Sequence, residues 1–321
     1  MKKILLLTGF CCFALKAFAN CDENGKCVWD CSPEDSSGSC TATFENGTLT
    51  VSGTGKMADF SYTAVTDETY PNLRAPDSYD NHLILKTYAP WNDEEGHLSQ
   101  ITNIVVEEGI TSVGNKSFAG AVNLQNVSLP DGLEAIGQHA FYLTGLTSVS
   151  LPASLETIGN ITGSGGGSFQ YTNLTSIELP DGLKTISSSV FRNTLIESVV
   201  IPDSVEIIGT RAFLNNENLK SVIIGDGVVS IGREAFANTP AYIYCQNTAE
   251  RSCADLIGEN NSDALGRLKI YSIDDKGRIK VGSKTYTSLN DLPKYVLRRI
   301  YTVEEATAAS GEKNTVILRY K

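Results

Sequence analysis

The chain has 321 residues, of which 37 are acidic and 26 basic, so its formal net charge is −11 at pH 7. A polyanion binds nucleic acid and anionic membrane surfaces poorly, so neither class of partner is expected. After the first twenty residues, no apolar stretch approaches the roughly 18 residues that a transmembrane helix needs.

Residues 1–19 have the features of a secretory signal peptide. Lys2 and Lys3 precede an apolar stretch that is too short to span a bilayer, which argues against the alternative of a retained anchor. The stretch AFA at 17–19 has small residues at its first and third positions, which predicts cleavage before Asn20. The segment holds three lysines and no acidic residue, so the mature charge would be −14. We expect an exported bacterial protein that is secreted, periplasmic or on the cell surface.

Cleavage would leave six cysteines, an even number that in an exported chain indicates disulfides rather than a metal site. The chain has no Cys-x-x-Cys pair, and no histidine stands near these cysteines in sequence, so zinc is not expected. Six cysteines allow fifteen pairings, which the sequence leaves open. Cys245 and Cys253 lie far from the other cysteines in sequence, which favours a disulfide between these two. The disulfide candidates are Cys21, Cys27, Cys31, Cys40, Cys245 and Cys253.

Residues 20–100 are predicted to form a cysteine-rich N-terminal cap. The stretch TATFENGTLTVSGTG (41–55) alternates apolar and polar residues around an Asn-Gly pair, which predicts a β-hairpin with a type I′ turn. Residues 56–100 contain several prolines and few apolar pairs, so an irregular loop is expected there, anchored by Trp91.

A phrase such as NVSLPDGLEAIG recurs six times between residues 101 and 244, and its copies are offset by 23, 22, 28, 22 and 23 positions. Each copy predicts a short strand that ends at proline, and then a turn. A second apolar step follows, meaning a pair of apolar residues such as Leu133 and Ile136, and then a block that inserts one aromatic side chain into the interior. One coil buries too little apolar surface to fold alone, so the coils must stack as a solenoid. The expected interior column contains Phe118, Phe141, Phe169, Phe191, Phe213 and Phe236.

The array is expected to end at the strand AYIYC, which leads into a disulfide-closed capping loop at 245–266. Residues 267–321 are predicted to form a small α+β module. Alternating residues on both sides of 275–277 predict a hairpin, Thr302 and Glu305 form a capping box for a helix, and NTVILRYK predicts a terminal strand.

The line LPDGLEAIGQHAF, followed by LTSVSLPASLETIG, resembles the BspA-type leucine-rich repeats of bacterial surface proteins over residues 101–244. The lead-in GTLTVSGTGKM…APW (47–91) is similar to the segment that precedes such arrays. The resemblance implies a repeat solenoid, mainly β with short helical turns, and a parallel sheet on its inner face. It also implies an extracellular role in adhesion or protein binding. Family arrays often carry cysteine at positions occupied here by Leu143, Asn193, Asn215 and Asn238.

No catalytic, cofactor or metal site is predicted. His82, His97 and His139 stand far apart in sequence and outside known motifs, and His139 is expected to be an exposed spacer residue. The stretch GTGKM (53–57) lacks the first glycine and the Ser or Thr of a phosphate-binding loop. The glycine-rich insertion NITGSGGGSF (160–169) is either a tolerated bulge or a contact loop.

The outward positions of the first strand in each coil form the candidate binding face. Small side chains dominate this face, which gives a low-relief surface suited to protein contact. Its apolar members can equally be the scattered exposed residues of any protein surface. The face comprises Asn103, Val105, Asn126, Ser128, Ser148, Ser150, Ser176, Glu178, Ser198, Val200, Ser221 and Ile223.

The sequence therefore predicts an exported, non-enzymatic leucine-rich repeat protein that binds a protein, matrix or cell-surface ligand through its sheet face. The alternative is a structural component of an envelope or assembly, attached or sorted through the C-terminal module.

Overall fold

The computed structural model describes residues 21–35, 37–66, 83–92, 96–159, 167–246, 252–273, 279–281, 284–286, 301–305 and 316–320. Its strands are β1 (Cys27–Asp30), β2 (Gly38–Glu45), β3 (Thr48–Lys56), β4 (Tyr62–Thr66), β5 (Leu83–Thr87), β6 (Asn103–Val106), β7 (Ile110–Val113), β8 (Asn126–Ser128), β9 (Ala135–Ile136), β10 (Thr157–Ile158), β11 (Thr185–Ile186), β12 (Ser198–Val200), β13 (Ile207–Ile208), β14 (Ser221–Ile223), β15 (Ser230–Ile231), β16 (Tyr242–Gln246), β17 (Leu268–Ile273), β18 (Ile279–Val281), β19 (Lys284–Tyr286), β20 (Tyr301–Glu305) and β21 (Val316–Tyr320). The helices are α1 (His97–Gln100), α2 (Cys253–Ile257) and α3 (Ser262–Leu265), with a 3-10 helix at Glu259–Asn261.

Two parallel ladders run along the stacked coils. The first is unbroken, in the order β3-β7-β9-β10-β11-β13-β15, and it is made of the second apolar step of each repeat. The other ladder uses the first strand of each repeat and has two parts, β3-β6-β8 and β12-β14-β16-β17. The fold is therefore the predicted mainly β solenoid, although its continuous sheet is built from the shorter strand.

The aromatic column predicted from the repeats is confirmed. All six of its phenylalanines are fully buried, and successive rings lie 5.3 to 5.8 Å apart from centroid to centroid. Trp91 extends the column at the N-terminal end, where its ring lies 5.6 Å from Phe118 and its Nε1 donates to the carbonyl of Ser117 at 2.8 Å. Trp91 is thus the predicted anchor of the segment before the array.

Turns between the ladders are joined from coil to coil by backbone hydrogen bonds. The N–H of Phe191 donates to the carbonyl of Ala212 at 2.9 Å, and that of Phe213 donates to Ala235 at 2.8 Å. Two positions of this block have positive φ in five of the six coils, and one position does in the coil that follows the glycine-rich insertion, so the conformation of the block is nearly the same throughout. The non-glycine residues concerned are Lys116, His139, Leu143, Tyr171, Ser189, Asn193, Arg211, Asn215, Glu234 and Asn238.

The N-terminal hairpin is also confirmed. Strands β2 and β3 pair antiparallel with Glu45 opposite Thr48, and the two residues between them have φ of 49° and 77°, as a type I′ turn requires. Strand β3 then pairs in parallel with β6 and β7, so the hairpin covers the first edge of the solenoid.

The opposite end is covered by the segment that the Cys245–Cys253 disulfide closes. The side chain of Asn261 accepts a hydrogen bond from the N–H of Ala235 at 2.8 Å and donates to the carbonyl of Gly232 at 3.1 Å. The segment therefore packs on the last coil at the end where a further coil would otherwise stack. Strand β17 continues the ladder beyond β16, across the predicted boundary at residue 267.

Two predicted elements are wrong. Residues 56–100 contain the antiparallel pair β4–β5 and helix α1, where an irregular loop was expected. Thr302 and Glu305 lie in strand β20, which pairs with β21, because pairing between strands outweighs a local capping signal. The predicted terminal strand is present as β21, and the hairpin around residues 275–277 is present as the β17–β18 pair, although its turn lies outside the described residues.

No helix in the described part of the chain is long and apolar enough to cross a membrane.

Candidate functional site

Ten of the twelve predicted face residues reach the surface. Seven are exposed and three are half-buried, and the in-register pairs Asn103–Asn126 and Val105–Ser128 follow the ladder between β6 and β8. The two asparagines are joined by a hydrogen bond of 2.9 Å from Nδ2 of Asn126 to Oδ1 of Asn103. Exposed members are Asn126, Ser128, Ser148, Ser150, Ser176, Glu178 and Ser198.

The prediction that Ser221 and Ile223 point outward is wrong. Each is only 1% exposed. Their neighbours in the parallel ladder are Tyr242 and Tyr244, and Tyr244 is itself 6% exposed. The candidate face therefore has no exposed position at β14, its C-terminal end, where bulky aromatic residues occupy the neighbouring strand.

The centre of the face differs from its ends. Residues 148–150 and 176–178 form no strand in the described chain, although their outward side chains are exposed. These two coils flank the glycine-rich insertion, of which residues 160–166 lie outside the described part. The longest row of small exposed hydroxyl groups therefore lies where the coils are joined least regularly.

A second surface was missed by the sequence analysis. The unbroken ladder aligns one outward position from each coil in register. Of these six residues three are half-buried and Thr185 is buried, whereas Ser230 and Ile207 are exposed, Ile207 at 39%. The β-branched pairs Thr-Ile and Ile-Ile before the repeat glycine were the available signal for this strand. The aligned residues are Ser112, Ala135, Thr157, Thr185, Ile207 and Ser230.

His139 is buried, at 9% exposed, rather than the surface spacer that was expected. Its ring lies edge-on to Tyr142 at 5.3 Å, and Tyr142 contacts Tyr171 in the same way at 5.7 Å. Burial, with a smaller contribution from the positive charge of Lys116, lowers the pKa of His139 to about 4. The imidazole is therefore neutral at physiological pH and belongs to a packed aromatic cluster.

An ion pair connects the equivalent positions of two later coils. Nε of Arg211 donates to a carboxylate oxygen of Glu234 at 2.7 Å, and Arg233 approaches the other oxygen at 2.9 Å. The hydrogen bond from Arg211 is the main reason that the pKa of Glu234 is lowered. Both members of this pair have positive φ and occupy equivalent positions in successive coils, which the ion pair thus links directly.

The N-terminal cap brings a histidine to the cysteines, although no histidine stands near them in sequence. His97 lies against Cys27, with 3.3 Å between Nε2 and Sγ, although 70 positions separate them in sequence. Cys27 is bonded to Cys21, and Cys31 to Cys40. Distance along the sequence therefore did not predict this contact in the folded chain.

The stretch GTGKM does not form a phosphate-binding loop, since residues 53–56 belong to β3 and Met57 is buried.

The architecture defines a class of protein, a leucine-rich repeat solenoid with capped ends. A family model described as the BspA type leucine rich repeat region matches residues 96–162 and 161–244 with six copies. Residues 96–244 of this chain are thus made of BspA-type leucine-rich repeats, a repeat type that suggests a protein-binding or surface role.

The solved structures that are similar to this chain include bacterial leucine-rich repeat proteins, and each of the three described below matches only part of it. A leucine-rich repeat protein from Eubacterium ventriosum is 24% identical with a TM-score of 0.46, over 62% of this chain and 45% of that one. The T. pallidum leucine-rich repeat protein is 28% identical with a TM-score of 0.36, over 44% and 64%. A leucine rich cell surface protein from Faecalibacterium prausnitzii is 22% identical with a TM-score of 0.27, over 56% and 62%.

This chain thus covers less than two thirds of the length of each of these proteins. No curated protein sequence matches it.

Proposed function

We propose that this chain is an exported, non-enzymatic protein that binds another protein, or a matrix or cell-surface ligand, through the first-strand face of its solenoid. The observation that carries the proposal is the row of seven exposed side chains between Asn126 and Ser198. Six of the seven are serine or asparagine, so the row offers hydrogen-bond donors and acceptors on a surface of low relief.

The scaffold beneath the row favours binding. Its core is the stacked aromatic column, and backbone hydrogen bonds join neighbouring coils even at the centre of the row where no strand forms, as from the N–H of Thr175 to the carbonyl of Thr147 at 3.2 Å. Little main-chain ordering is therefore needed when a partner docks. Serine side chains also lose little rotamer entropy on burial compared with long charged side chains. The family role of the repeat array supports the same conclusion.

Binding is tested with immobilised protein and surface proteins of host or neighbouring cells, followed by affinity measurements on the recovered partner. Ser150→Arg should weaken the affinity by more than about tenfold, because a long charged side chain in the row blocks close approach. Thr210→Arg is the matched control, since it places the same charge on another exposed hydroxyl position away from the row. Recovery of no specific partner, or equal weakening by both variants, would refute the proposal.

Export is supported by the signal-like residues 1–19 and by three disulfides, which persist in oxidising compartments. Cell fractionation with proteolysis of intact cells should find the protein in the medium, in the periplasm or accessible at the surface. Mass spectrometry of the mature chain should give Asn20 as its first residue. Retention of an uncleaved chain in the cytoplasm would contradict export.

A further inference from the structure

Three potential metal-ligand side chains meet in the N-terminal cap. The sulfur atoms of Cys21 and Cys27 and a ring nitrogen of His97 all lie within 4.8 Å of one another. Within the described residues, no other trio of His, Cys, Asp or Glu side chains converges in this way. In the oxidised protein the two sulfurs are joined as a disulfide, so the group binds no metal in that state.

The imidazole of His97 is held in position by its neighbours. It is 7% exposed and lies edge-on between the rings of Trp29 and Phe44, at centroid distances of 5.5 and 5.2 Å. These contacts do not depend on the disulfide. The ring nitrogen therefore stays beside Cys27 when the sulfur–sulfur bond is broken.

The Cys21–Cys27 bridge is also more accessible than the other two. Cys21 is exposed, whereas Cys27 and all four cysteines of the remaining bridges are buried at 1% or less. Thiol–disulfide exchange begins with attack on a reachable sulfur, so an external thiol meets Cys21 first. The buried cysteines of the other two bridges are Cys31, Cys40, Cys245 and Cys253.

The loop between the two cysteines is ordered by its own hydrogen bonds. A carboxylate oxygen of Asp22 accepts from the N–H groups of Asn24 and Lys26 at 2.9 and 3.0 Å. The N–H of Asp22 donates in turn to the carbonyl of Lys26 at 2.9 Å. Reduction thus leaves Cys21 close to Cys27.

We propose that Cys21, Cys27 and His97 form a redox-controlled binding site for a thiophilic divalent cation such as Zn²⁺. A reducing dithiol exchanges with the Cys21–Cys27 bridge, so the dithiol becomes a disulfide and both cysteines become thiols. The cation then displaces one proton from each thiol and is held by two thiolates and the neutral imidazole. This site is independent of the proposed protein-binding face.

The distances suit this ligand set. Zinc binds sulfur at about 2.3 Å and nitrogen at about 2.0–2.1 Å, so a tetrahedral site separates these ligands by roughly 3.5 Å. Nε2 of His97 and Sγ of Cys27 are already 3.3 Å apart. The exposed Cys21 makes the remaining adjustment as the bonded sulfurs separate. Two thiolates and one imidazole leave a fourth position for water or another ligand.

The first experiment treats the folded chain with limiting dithiothreitol, alkylates free thiols and maps them by mass spectrometry. Cys21 and Cys27 should be labelled before the other four cysteines. Co²⁺ is then titrated into the partly reduced protein as a spectroscopic probe, and Zn²⁺ is used to displace it. Thiolate-to-cobalt charge transfer should appear with one ion per chain, and it should be absent from the oxidised protein.

Variants separate a built site from adventitious thiol binding. Cys21→Ser, at an exposed position, and His97→Gln should each weaken Co²⁺ binding by more than about tenfold. The double variant Cys245→Ser with Cys253→Ser is the control and should bind as the wild type does. Earlier opening of another bridge, no cobalt charge transfer after reduction, or unchanged affinity in Cys21→Ser would overturn the proposal.

Discussion

At the scale of single residues, the glycine of the recurring hexapeptide is set by how closely the coils approach. A Cβ atom at Gly209 would lie 2.5 Å from the backbone nitrogen of Ser188 in the preceding coil, and one at Gly137 would lie 2.6 Å from that of Asn115. Backbone atoms cannot move aside as a flexible side chain does. At these positions the glycine leaves room for the backbone of the preceding coil, a requirement separate from apolar burial.

We predict that Gly209→Ala lowers the free energy of unfolding by about 1–3 kcal/mol, because the added methyl group forces the two coils apart. Urea denaturation measures the change. Gly132→Ala is the matched control, since its Cβ would have no neighbour closer than 4.0 Å, and its stability should be unchanged or slightly higher. Equal losses in both variants would show that packing between coils is not the cause.

His139 predicts a pH dependence of stability. Its folded pKa of about 4 lies below the ordinary histidine pKa of 6.5, so the unfolded chain binds a proton more readily. Stability from this residue is complete above the unfolded pKa and is lost as the pH falls through about 4. Between about pH 7 and pH 4 the loss should be about 3 kcal/mol relative to His139→Asn, which keeps a residue that tolerates positive φ. Parallel stability curves for the two proteins would contradict this.

At the scale of elements, the short helical segment after β16 acts as the cap of the last coil. The carbonyl of Asn260 accepts the N–H of Glu234, as the carbonyl of Arg233 in the next coil accepts that of Arg211. The side chain of Asn261 accepts the buried N–H of Ala235. A solenoid end without such partners would leave buried donors unpaired.

Asn261→Ala should lower the free energy of unfolding by about 1–3 kcal/mol, because the buried N–H of Ala235 loses its acceptor. Thermal unfolding followed by circular dichroism measures the effect. Asn260→Ala provides the comparison, since that residue contributes only its backbone carbonyl to the contact with Glu234 and its side chain is exposed. A larger loss in Asn260→Ala would exclude the assigned capping role.

At the scale of the whole molecule, stability is shared between coils that are nearly interchangeable. Strands β12 and β14 pair with Ser198 opposite Ser221, which is an offset of one complete coil. Removing residues 198–220 therefore joins equivalent positions and keeps the ladders and the aromatic column in register.

That deletion should give a folded, cooperatively unfolding protein with a smaller urea m-value, because less surface is buried. Deleting only residues 198–208 removes part of a coil and should prevent folding, since inward side chains would lose their register. Circular dichroism and denaturation of the two deletion proteins test this. A folded partial-coil variant would contradict the repeat-based account.

Local and periodic features could be predicted from the sequence. The NG hairpin, the solenoid, the aromatic column and the Cys245–Cys253 bridge each follow from residues close in the chain or from a fixed repeat. The repeat is informative because every coil must match the one before it. Local signals failed where pairing at a distance decided the outcome, as at β20, where a capping box was overruled by a partner strand.

By itself the sequence determined that closely similar coils stack, because the repeat period recurs whatever lies around it. Only the tertiary structure decided which surfaces remain open and which distant groups meet. Ile223 is buried although its pattern matches that of exposed positions, and His97 reaches Cys27 across 70 residues. The physical reason is that burial and side-chain proximity depend on every element packed at one place, whereas periodicity depends on one coil and its copy.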